Sequence, residues 1–165
     1  MEDTTAVTFL VPRASGEGGI SSYDERFHVS TRAATPSRHS RRGTDVNILV
    51  ADDDRDFSLM LCTILEEGGH TTIPAYDSIQ AFMYAIRQDT NMVLLDINMP
   101  GGTGIEVMRK LRQSKKTASI PVVVLTGSAD PEIKKKAMEL GAAAFLRKPV
   151  DPDVLLMCVN RVLTT

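Results

Sequence analysis

Residues 91–101 read Asn-Met-Val-Leu-Leu-Asp-Ile-Asn-Met-Pro-Gly, so four consecutive apolar residues lead directly into Asp96 and then into a Pro-Gly turn. A short apolar run bounded by turn residues is typical of a parallel strand that is buried on both faces. A carboxylate at the end of such a strand is costly to bury unless a cation compensates its charge. The stretch therefore predicts a central strand with a charged site at its carboxyl end.

Short apolar runs alternate with longer amphipathic runs from Val46 onward. The five strand-like runs are residues 46–51, 71–75, 92–96, 121–126 and 142–146. Helix starts are marked by Asp130-Pro131 and Asp151-Pro152, which each place a capping carboxylate before a proline at the first helical position. Five repeats of strand and helix predict an α/β fold, a doubly wound parallel sheet with right-handed crossovers and helices on both faces.

Apolar residues at helical spacing predict which faces of the first three helices point to the core. These faces comprise Phe57, Met60, Leu61, Ile64 and Leu65, then Ile79, Phe82, Met83 and Ile86, and then Ile105, Met108 and Leu111. The run at 71–75 is more polar than the others and contains Pro74, so we expect it at an edge of the sheet.

Residues 1–44 differ in composition from the rest of the chain. They are rich in Ser, Thr, Arg and Gly, and their only apolar cluster, residues 6–11, is too short to seed a core. This composition predicts a flexible N-terminal tail over residues 1–44 and one folded domain over residues 45–165.

Charge and cysteine content exclude several classes of protein. The formal net charge is −2, which argues against a protein that holds nucleic acid or anionic lipid by bulk attraction. Cys62 and Cys158 are far apart in sequence and belong to no Cys/His cluster, so neither a disulfide framework nor a zinc site is indicated. No apolar run approaches the roughly 20 residues of a membrane span, and the first residues lack a secretory signal, so we expect a cytoplasmic location.

Polar side chains follow the ends of the predicted central strands. They are Asp52, Asp53 and Asp54 after the first strand, Asp96 after the third, Thr126 after the fourth and Lys148 after the fifth. In such sheets the ligand site lies beyond the carboxyl ends of the strands, where the winding direction changes. Carboxylates about 5 Å apart repel by roughly 3 kcal/mol per pair at an effective dielectric near 20, so a cation is expected among them.

The donor types indicate which cation and which chemistry fit. Oxygen ligands without His or Cys favour Mg²⁺. Lys148 adds a fixed positive charge that can bind phosphate oxygens. Together, an anionic metal site and a phosphate-binding ammonium predict phosphoryl transfer.

Four motifs, in this order and spacing, resemble the receiver domains of two-component response regulators. They are Ile48-Leu-Val-Ala-Asp-Asp-Asp54, Leu94-Leu-Asp-Ile-Asn-Met-Pro100 followed by Gly104, Val122-Val-Val-Leu-Thr-Gly127, and Gly141-Ala-Ala-Ala-Phe-Leu-Arg-Lys-Pro149. The resemblance covers residues 46–163. It implies a flavodoxin-like (βα)5 sheet with strand order 2-1-3-4-5, an order of which a receiver domain is itself a standard example.

The resemblance implies a role for each site residue. Asp96 is the expected phosphoacceptor, which attacks a phosphohistidine on a sensor histidine kinase or a histidine phosphotransfer protein. Asp53 and Asp96 would bind Mg²⁺ with the backbone carbonyl of Asn98, and Asp52 would act mostly through water. Lys148 and the Thr126 hydroxyl would hold the phosphoryl oxygens.

The resemblance also implies how a signal leaves the site. Thr126 and Phe145 are the expected switch residues, and Asn98 and Ser128 are expected to tune the lifetime of the acyl phosphate. The responding surface would comprise residues 134–140, 142–146 and 151–163 and would contact an unknown downstream protein. Receivers carry a cis peptide bond at the position of Lys148-Pro149, and we expect one here.

Simpler readings of these motifs remain. The acidic run at 52–54 could be only a solvated helix cap, and Asp96 could simply form a turn. Lys148-Pro149 could mark no more than a surface turn between two elements, and Phe145 could be an ordinary core residue.

Three other protein classes compete with a stand-alone receiver. A haloacid-dehalogenase-type phosphatase needs a second Asp two residues after the nucleophile, and this chain has Asn98 there. A receiver cut from a longer hybrid kinase and a degenerate receiver that binds without phosphate are further alternatives. Because the last predicted helix ends just before Thr165, we expect a signalling receiver without a DNA-binding output domain, which catalyses only its own phosphorylation and dephosphorylation.

Overall fold

A computed structural model of the chain describes residues 7–9, 46–127 and 130–164. The elements in chain order are β1 (Val7–Phe9), β2 (Asn47–Ala51), α1 (Arg55–Glu67), β3 (Thr71–Ala75), α2 (Ser78–Arg87), β4 (Met92–Asp96), α3 (Gly104–Gln113), β5 (Val122–Thr126), α4 (Pro131–Glu139), β6 (Ala144–Arg147) and α5 (Pro152–Leu163). One sheet contains all described strands, in the order β1-β6-β5-β4-β2-β3.

The five strands from β2 to β6 form the predicted parallel sheet. Neighbouring strands pair in parallel along the order β3-β2-β4-β5-β6. Counted from β2, this is the expected order 2-1-3-4-5. β4 and β5 are buried at every position, whereas β3 lies at the edge and exposes Pro74. The prediction of buried central strands and a proline-containing edge strand is confirmed.

Each face of the sheet packs against its own set of helices. Alternate residues of β2 point to opposite faces, with Leu49 and Ala51 in one core cluster and Ile48 and Val50 in the other. The first cluster includes buried residues of α2, α3 and α4, and the second those of α1 and α5. The doubly wound arrangement follows from this alternation, because each strand supplies apolar side chains to both sides.

The predicted core faces of α1 and α2 are partly wrong. Met60 on α1 is 41% exposed and Ile79 on α2 is 64% exposed. In α2 the side chains that are buried against the sheet include Ala81 and Ala85. Small side chains let a helix approach closely, so the larger apolar residues of α2 flank the contact instead of filling it. The face of α3 that was predicted from Ile105, Met108 and Leu111 is buried as expected.

β1 is a strand that the sequence did not predict. Its three residues pair antiparallel with the outer edge of β6. Residues 6–11 are too short to seed a core, but a strand that docks on a sheet edge needs only backbone donors and acceptors. The other residues of the predicted N-terminal tail, 1–6 and 10–44, lie outside the described residues.

Arg112 joins the ends of two helices. Its guanidinium donates hydrogen bonds to the carbonyls of Ala118, Ile120, Leu140 and Gly141, at 3.0 to 3.1 Å. These hydrogen bonds connect the C-terminal end of α3 to the residues that follow α4 and to the residues that precede β5. Burial lowers the pKa of Arg112.

None of the helices in the described part of the chain has the length and apolar character that crossing a bilayer requires.

Gly104 allows the chain to turn closely beneath Asp96. The Gly104 N–H donates a 2.8 Å hydrogen bond to the Ile97 carbonyl. A Cβ on residue 104 would collide with the carbonyl oxygen of Asp96 and would lie 2.9 Å from the Cα of Ile97. Since both neighbours are backbone atoms, they can yield only if the loop that follows β4 moves.

Replacing Gly104 with alanine should therefore destabilise the domain. We expect Gly104→Ala to lower the free energy of unfolding by about 1–3 kcal/mol, as other overpacking substitutions do. Urea unfolding followed by circular dichroism measures this change. Gly127→Ala is the matched control, because a Cβ at residue 127 would meet nothing within 4 Å. Equal stability of Gly104→Ala and the native chain would contradict the close approach.

His70 should make the stability depend on pH. Its Nε2 atom is buried and meets no hydrogen-bond partner among the described residues. Burial lowers the pKa of His70 below its ordinary value of 6.5, although the nearby Asn160 side chain raises it in part. The unfolded chain therefore binds a proton more readily than the folded chain, so stability should be lost as the pH falls below 6.5.

This loss should disappear in a variant without the imidazole. We expect the native chain to lose more stability between pH 7.5 and pH 5.5 than His70→Gln, in thermal unfolding at constant ionic strength. The comparison between the two chains removes the contribution of the carboxylates, which both share. The same pH dependence in both would refute the assignment to His70.

Candidate functional site

Two neighbouring parallel strands bring three carboxylates together. β2 and β4 end side by side, with Ala51 paired to Leu95. One carboxylate oxygen from each of Asp52, Asp53 and Asp96 lies within 4.8 Å of the others. Asp52 is fully buried and Asp96 is 5% exposed, whereas Asp53 is exposed. The cluster is thus closed on the protein side and open to solvent at Asp53.

Lys148 reaches this cluster from the far side of β5. Its Nζ atom lies 2.5 Å from Asp52 Oδ2 and 2.9 Å from Asp96 Oδ2. Its backbone N–H donates a 2.8 Å hydrogen bond to the Thr126 carbonyl at the end of β5. The Lys148–Pro149 peptide bond is cis, as predicted. The ammonium therefore holds the ends of β2 and β4 through two carboxylates.

Phe57 is a site neighbour that the sequence did not reveal. The Lys148 ammonium lies 4.5 Å from the centroid of the Phe57 ring, within the range of a cation–π contact. Helical spacing placed Phe57 on the core face of α1. Its position in the first turn after the acidic run was the only signal that it could also contact the site.

The acidic cluster places three carboxylates beside the Lys148 ammonium, so negative charge exceeds positive charge there. Burial raises the pKa of Asp52, and the Asp96 charge raises it too, while Lys148 and the Asp54 N–H lower it by less. Burial lowers the pKa of Lys148, but the hydrogen bonds and charges of Asp52 and Asp96 outweigh burial and place that pKa above its ordinary value. Burial is thus the main cause of the raised pKa of Asp52, whereas the raised pKa of Lys148 comes from its contacts with two carboxylates.

Backbone amides orient two of the three carboxylates. The Asp54 N–H donates to Asp52 Oδ1 at 3.1 Å, and the Asn98 N–H donates to Asp96 Oδ1 at 3.3 Å. In each carboxylate the other oxygen, Oδ2, faces Lys148. The loop after each strand thus fixes the direction of the acid that ends the strand.

Asp54 serves a different purpose from its two neighbours. Its side chain caps α1 and accepts hydrogen bonds from the N–H groups of Asp56 and Phe57, both at 3.1 Å. The helix-cap reading therefore applies to Asp54, while Asp52 and Asp53 belong to the acidic cluster.

The remaining predicted residues lie around the cluster or outside the described chain. Thr126 is fully buried at the end of β5, whose Leu125 pairs with Asp96. Phe145 is half-buried on β6 and packs against the core cluster that includes β4 and α3. Asn98 is exposed beside Asp96. Ser128 lies outside the described residues, and its expected role stays a prediction.

The arrangement brings three carboxylates and an ammonium together in one place. The donors in the acidic cluster are all oxygens, and its charge surplus fits a hard divalent ion such as Mg²⁺.

Comparison with known proteins supports the same reading. Residues 48–160 match the family model of the response regulator receiver domain. This match covers β3 to β6, all of β2 except Asn47, and all residues of the cluster.

The chain is also similar to individual proteins of known name. It is 34% identical over 116 residues to protein PilH of Pseudomonas aeruginosa, a match that covers 70% of this chain and 96% of PilH. It is 31% identical over 116 residues to the phosphate regulon transcriptional regulatory protein PhoB of the same species, which covers 70% of this chain but 51% of PhoB. The chain thus spans about half the length of the PhoB proteins that it matches.

A solved structure agrees with the fold. The chemotaxis response regulator CheY4 of Vibrio cholerae superposes with a TM-score of 0.68 at 29% identity, over 72% of this chain and 99% of that chain.

Removing the Lys148 ammonium should destabilise the domain, because its positive charge offsets part of the negative charge of the cluster. Replacing Lys148 with methionine leaves the buried Asp52 without its cation, and breaking a fully buried pair costs about 3–5 kcal/mol. Because the Lys148 side chain is 20% exposed, we expect a smaller loss, about 2–3 kcal/mol, in urea unfolding at pH 7 with EDTA.

The pH dependence distinguishes this effect from a simple packing defect. In Lys148→Met the folded state should bind a proton at Asp52 more readily, so the deficit relative to the native chain should shrink as the pH falls from 7 to 5. Lys110→Met, on the exposed face of α3, is the matched control and should leave stability nearly unchanged. A deficit that does not vary with pH would refute the charge explanation.

Proposed function

This chain belongs to the response regulator receiver family, and we propose that it accepts a phosphoryl group on Asp96 and signals through contacts that depend on phosphorylation. The observation that carries the proposal is the convergence of Asp52, Asp53 and Asp96 around the Lys148 ammonium. The phosphodonor is a phosphohistidine on a sensor histidine kinase or on a histidine phosphotransfer protein. The family supports this class of donor, and the chain's own geometry supports the acceptor.

Asp96 is the nucleophile in this proposal. One of its carboxylate oxygens attacks phosphorus, the bond between phosphorus and the imidazole nitrogen breaks, and the leaving imidazole keeps the electron pair and takes up a proton from solvent. The product is an acyl phosphate on Asp96. Because the transition state spreads charge over the equatorial oxygens, the site acts by positioning and electrostatics without a general acid.

Asp53, Asp96 and the backbone carbonyl of Asn98 would hold Mg²⁺, with Asp52 acting through water. The all-oxygen donor set and the charge surplus of the cluster support this ion. When bound, Mg²⁺ neutralises charge that develops on the phosphoryl oxygens. Asp53 is the exposed member of the cluster, so the ion can enter from solvent.

Lys148 and Thr126 would hold the phosphoryl oxygens. A phosphoryl group adds about 1.5 to 2 negative charges at pH 7, and the ammonium that now bonds Asp96 is already in place to meet them. Reorientation of the Thr126 hydroxyl would let Phe145 move, and Asn98 and Ser128 would tune the lifetime of the acyl phosphate. The responding surface would be residues 134–140, 142–146 and 151–163, where an as yet unidentified downstream protein binds.

Residue 98 argues against the alternative function as a phosphatase. A haloacid-dehalogenase-type enzyme uses a second carboxyl group there as general acid, and the neutral amide of Asn98 cannot supply a proton in that way. The chain is therefore a signalling module in this proposal, in which turnover of its own acyl phosphate is the only catalysed reaction. A cytoplasmic location fits such a module and stays a prediction.

Phosphorylation with a small donor tests the proposal directly. We expect the full chain to gain one phosphoryl group when incubated with acetyl phosphate and Mg²⁺, as measured by intact mass spectrometry, and to gain none in EDTA. Asp96→Asn should abolish the gain, and Asp53→Asn should raise the Mg²⁺ concentration that the gain requires. Asp77→Asn is the control, because Asp77 caps α2. A phosphoryl group that still appears on Asp96→Asn would refute the assignment.

A further inference from the structure

The outer edge of β6 is occupied by the chain's own N-terminal strand. In the antiparallel register Val7 lies opposite Leu146, Thr8 opposite Phe145 and Phe9 opposite Ala144. β6 is the last strand of the parallel sheet, so β1 covers backbone groups that would otherwise form an open edge. Open edges are the usual place where a protein adds a strand from a partner.

The register identifies which backbone groups face β1. On the inner side of β6 the Ala143 N–H donates to the Val122 carbonyl at 2.7 Å. Because successive N–H groups along a strand point to opposite edges, those of Ala144 and Leu146 point outward, toward Phe9 and Val7. Thr8 and Phe145 then form the pair without direct hydrogen bonds, and the Thr8 N–H points away from β6.

For a ladder of this length, the net free energy of docking is close to zero. Two hydrogen-bonded pairs supply at most four bonds of roughly 1 kcal/mol net each. Ordering the backbone of the strand costs roughly 1–2 kcal/mol per residue, and β1 has three residues. These two free energies nearly cancel. Small changes in β6 can therefore displace β1 from the edge.

β6 is also the strand that carries the cation of the site. It ends at Arg147, and the next residue, Lys148, bonds both Asp52 and Asp96 through its ammonium. A phosphoryl group on Asp96 competes for that ammonium, so the contacts that hold the chain just after the β1-paired residues change. The β1 ladder is formed with β6 in its unphosphorylated position. Any movement of β6 away from that position weakens the hydrogen bonds between β1 and β6.

We propose that the outer edge of β6 is a strand-docking site that β1 fills in the resting chain and leaves when Asp96 is phosphorylated. The released edge then takes an extended, β-branched or aromatic segment of a partner, of the same character as Val7-Thr-Phe9. β1 thus acts as an internal competitor for the responding surface. This inference rests on the proposed phosphorylation of Asp96.

Amide hydrogen exchange of the full chain, measured by NMR at Ala144 and Leu146, tests the docking. Phe9→Pro removes the N–H that faces Ala144, and we expect these two amides to exchange about tenfold faster than in the native chain. Thr8→Pro is the matched control, since proline is tolerated where the N–H faces away from the ladder. Phe9→Ala controls for loss of the ring. Exchange that is equally fast in the native chain and in Phe9→Pro would overturn the docking of β1, and protection that rises with protein concentration would assign the strand to a second copy.

The same amides test the coupling. With acetyl phosphate and Mg²⁺, exchange at Ala144 and Leu146 of the native chain should rise toward the rate of Phe9→Pro, and Asp96→Asn should show no rise. A synthetic peptide copying residues 4–12 should bind Phe9→Pro and the phosphorylated native chain at least several-fold more tightly than the resting chain, because the tethered strand no longer competes.

The outcomes separate this inference from the proposed function. If intact mass shows a phosphoryl group on the chain while exchange and peptide binding stay unchanged, the coupling is refuted and the proposed function stands. If no phosphoryl group is gained, the proposed function and the coupling both fail, and the comparison of Phe9→Pro with Thr8→Pro still decides whether β1 docks on β6.

Discussion

The ion pairs of one ammonium with two carboxylates hold the functional part of this fold together. Lys148 lies after β6, and Asp52 and Asp96 end β2 and β4, so the side chain spans the end of β5 to reach both acids. Each buried charge costs several kcal/mol to desolvate, and the short contacts with Lys148 offset part of that cost for the two acids. The order of the strands matters for function because it brings these three residues to one end of the sheet.

The same contacts support the proposed phosphorylation of Asp96. Asp53 adds a third carboxylate on the solvent side, and the cluster then has more negative charge than Lys148 can neutralise. In the proposed function a divalent cation would relieve that surplus, and an incoming phosphoryl group would meet an ammonium that is already hydrogen-bonded to Asp96. The close turn at Gly104 and the amide hydrogen bonds from the loops fix the direction of the acids. These side chains are thus oriented before any ligand binds, which is what the proposed catalysis by positioning requires.

Sequence patterns predicted the parts of the structure that depend on neighbours in the chain. Apolar runs located the strands from β2 to β6, Pro74 indicated the edge, and Asp-Pro pairs marked the starts of α4 and α5. Acids and a lysine at strand ends located the cluster, because parallel strands deliver their carboxyl ends to one place. Patterns did not separate the Asp54 cap from the two cluster acids, since all three are adjacent Asp residues.

Features that depend on distant backbone or on close packing escaped prediction. β1 pairs through main-chain groups, which leave no periodic side-chain signal over three residues. Arg112 bonds carbonyls that come from other segments of the chain. α2 packs through Ala81 and Ala85, whose size sets the approach of the helix and turns Ile79 toward solvent.

A crystal structure of the full chain with Mg²⁺ and beryllium fluoride is the most direct measurement of how the site works. We expect beryllium fluoride bonded through beryllium to a carboxylate oxygen of Asp96, Mg²⁺ bound by Asp53 and Asp96, and the Lys148 ammonium in contact with a fluoride. Density for the mimic on a different side chain, or an Asp96 without the mimic and a Lys148 turned into solvent, would contradict the assignment of Asp96 as phosphoacceptor.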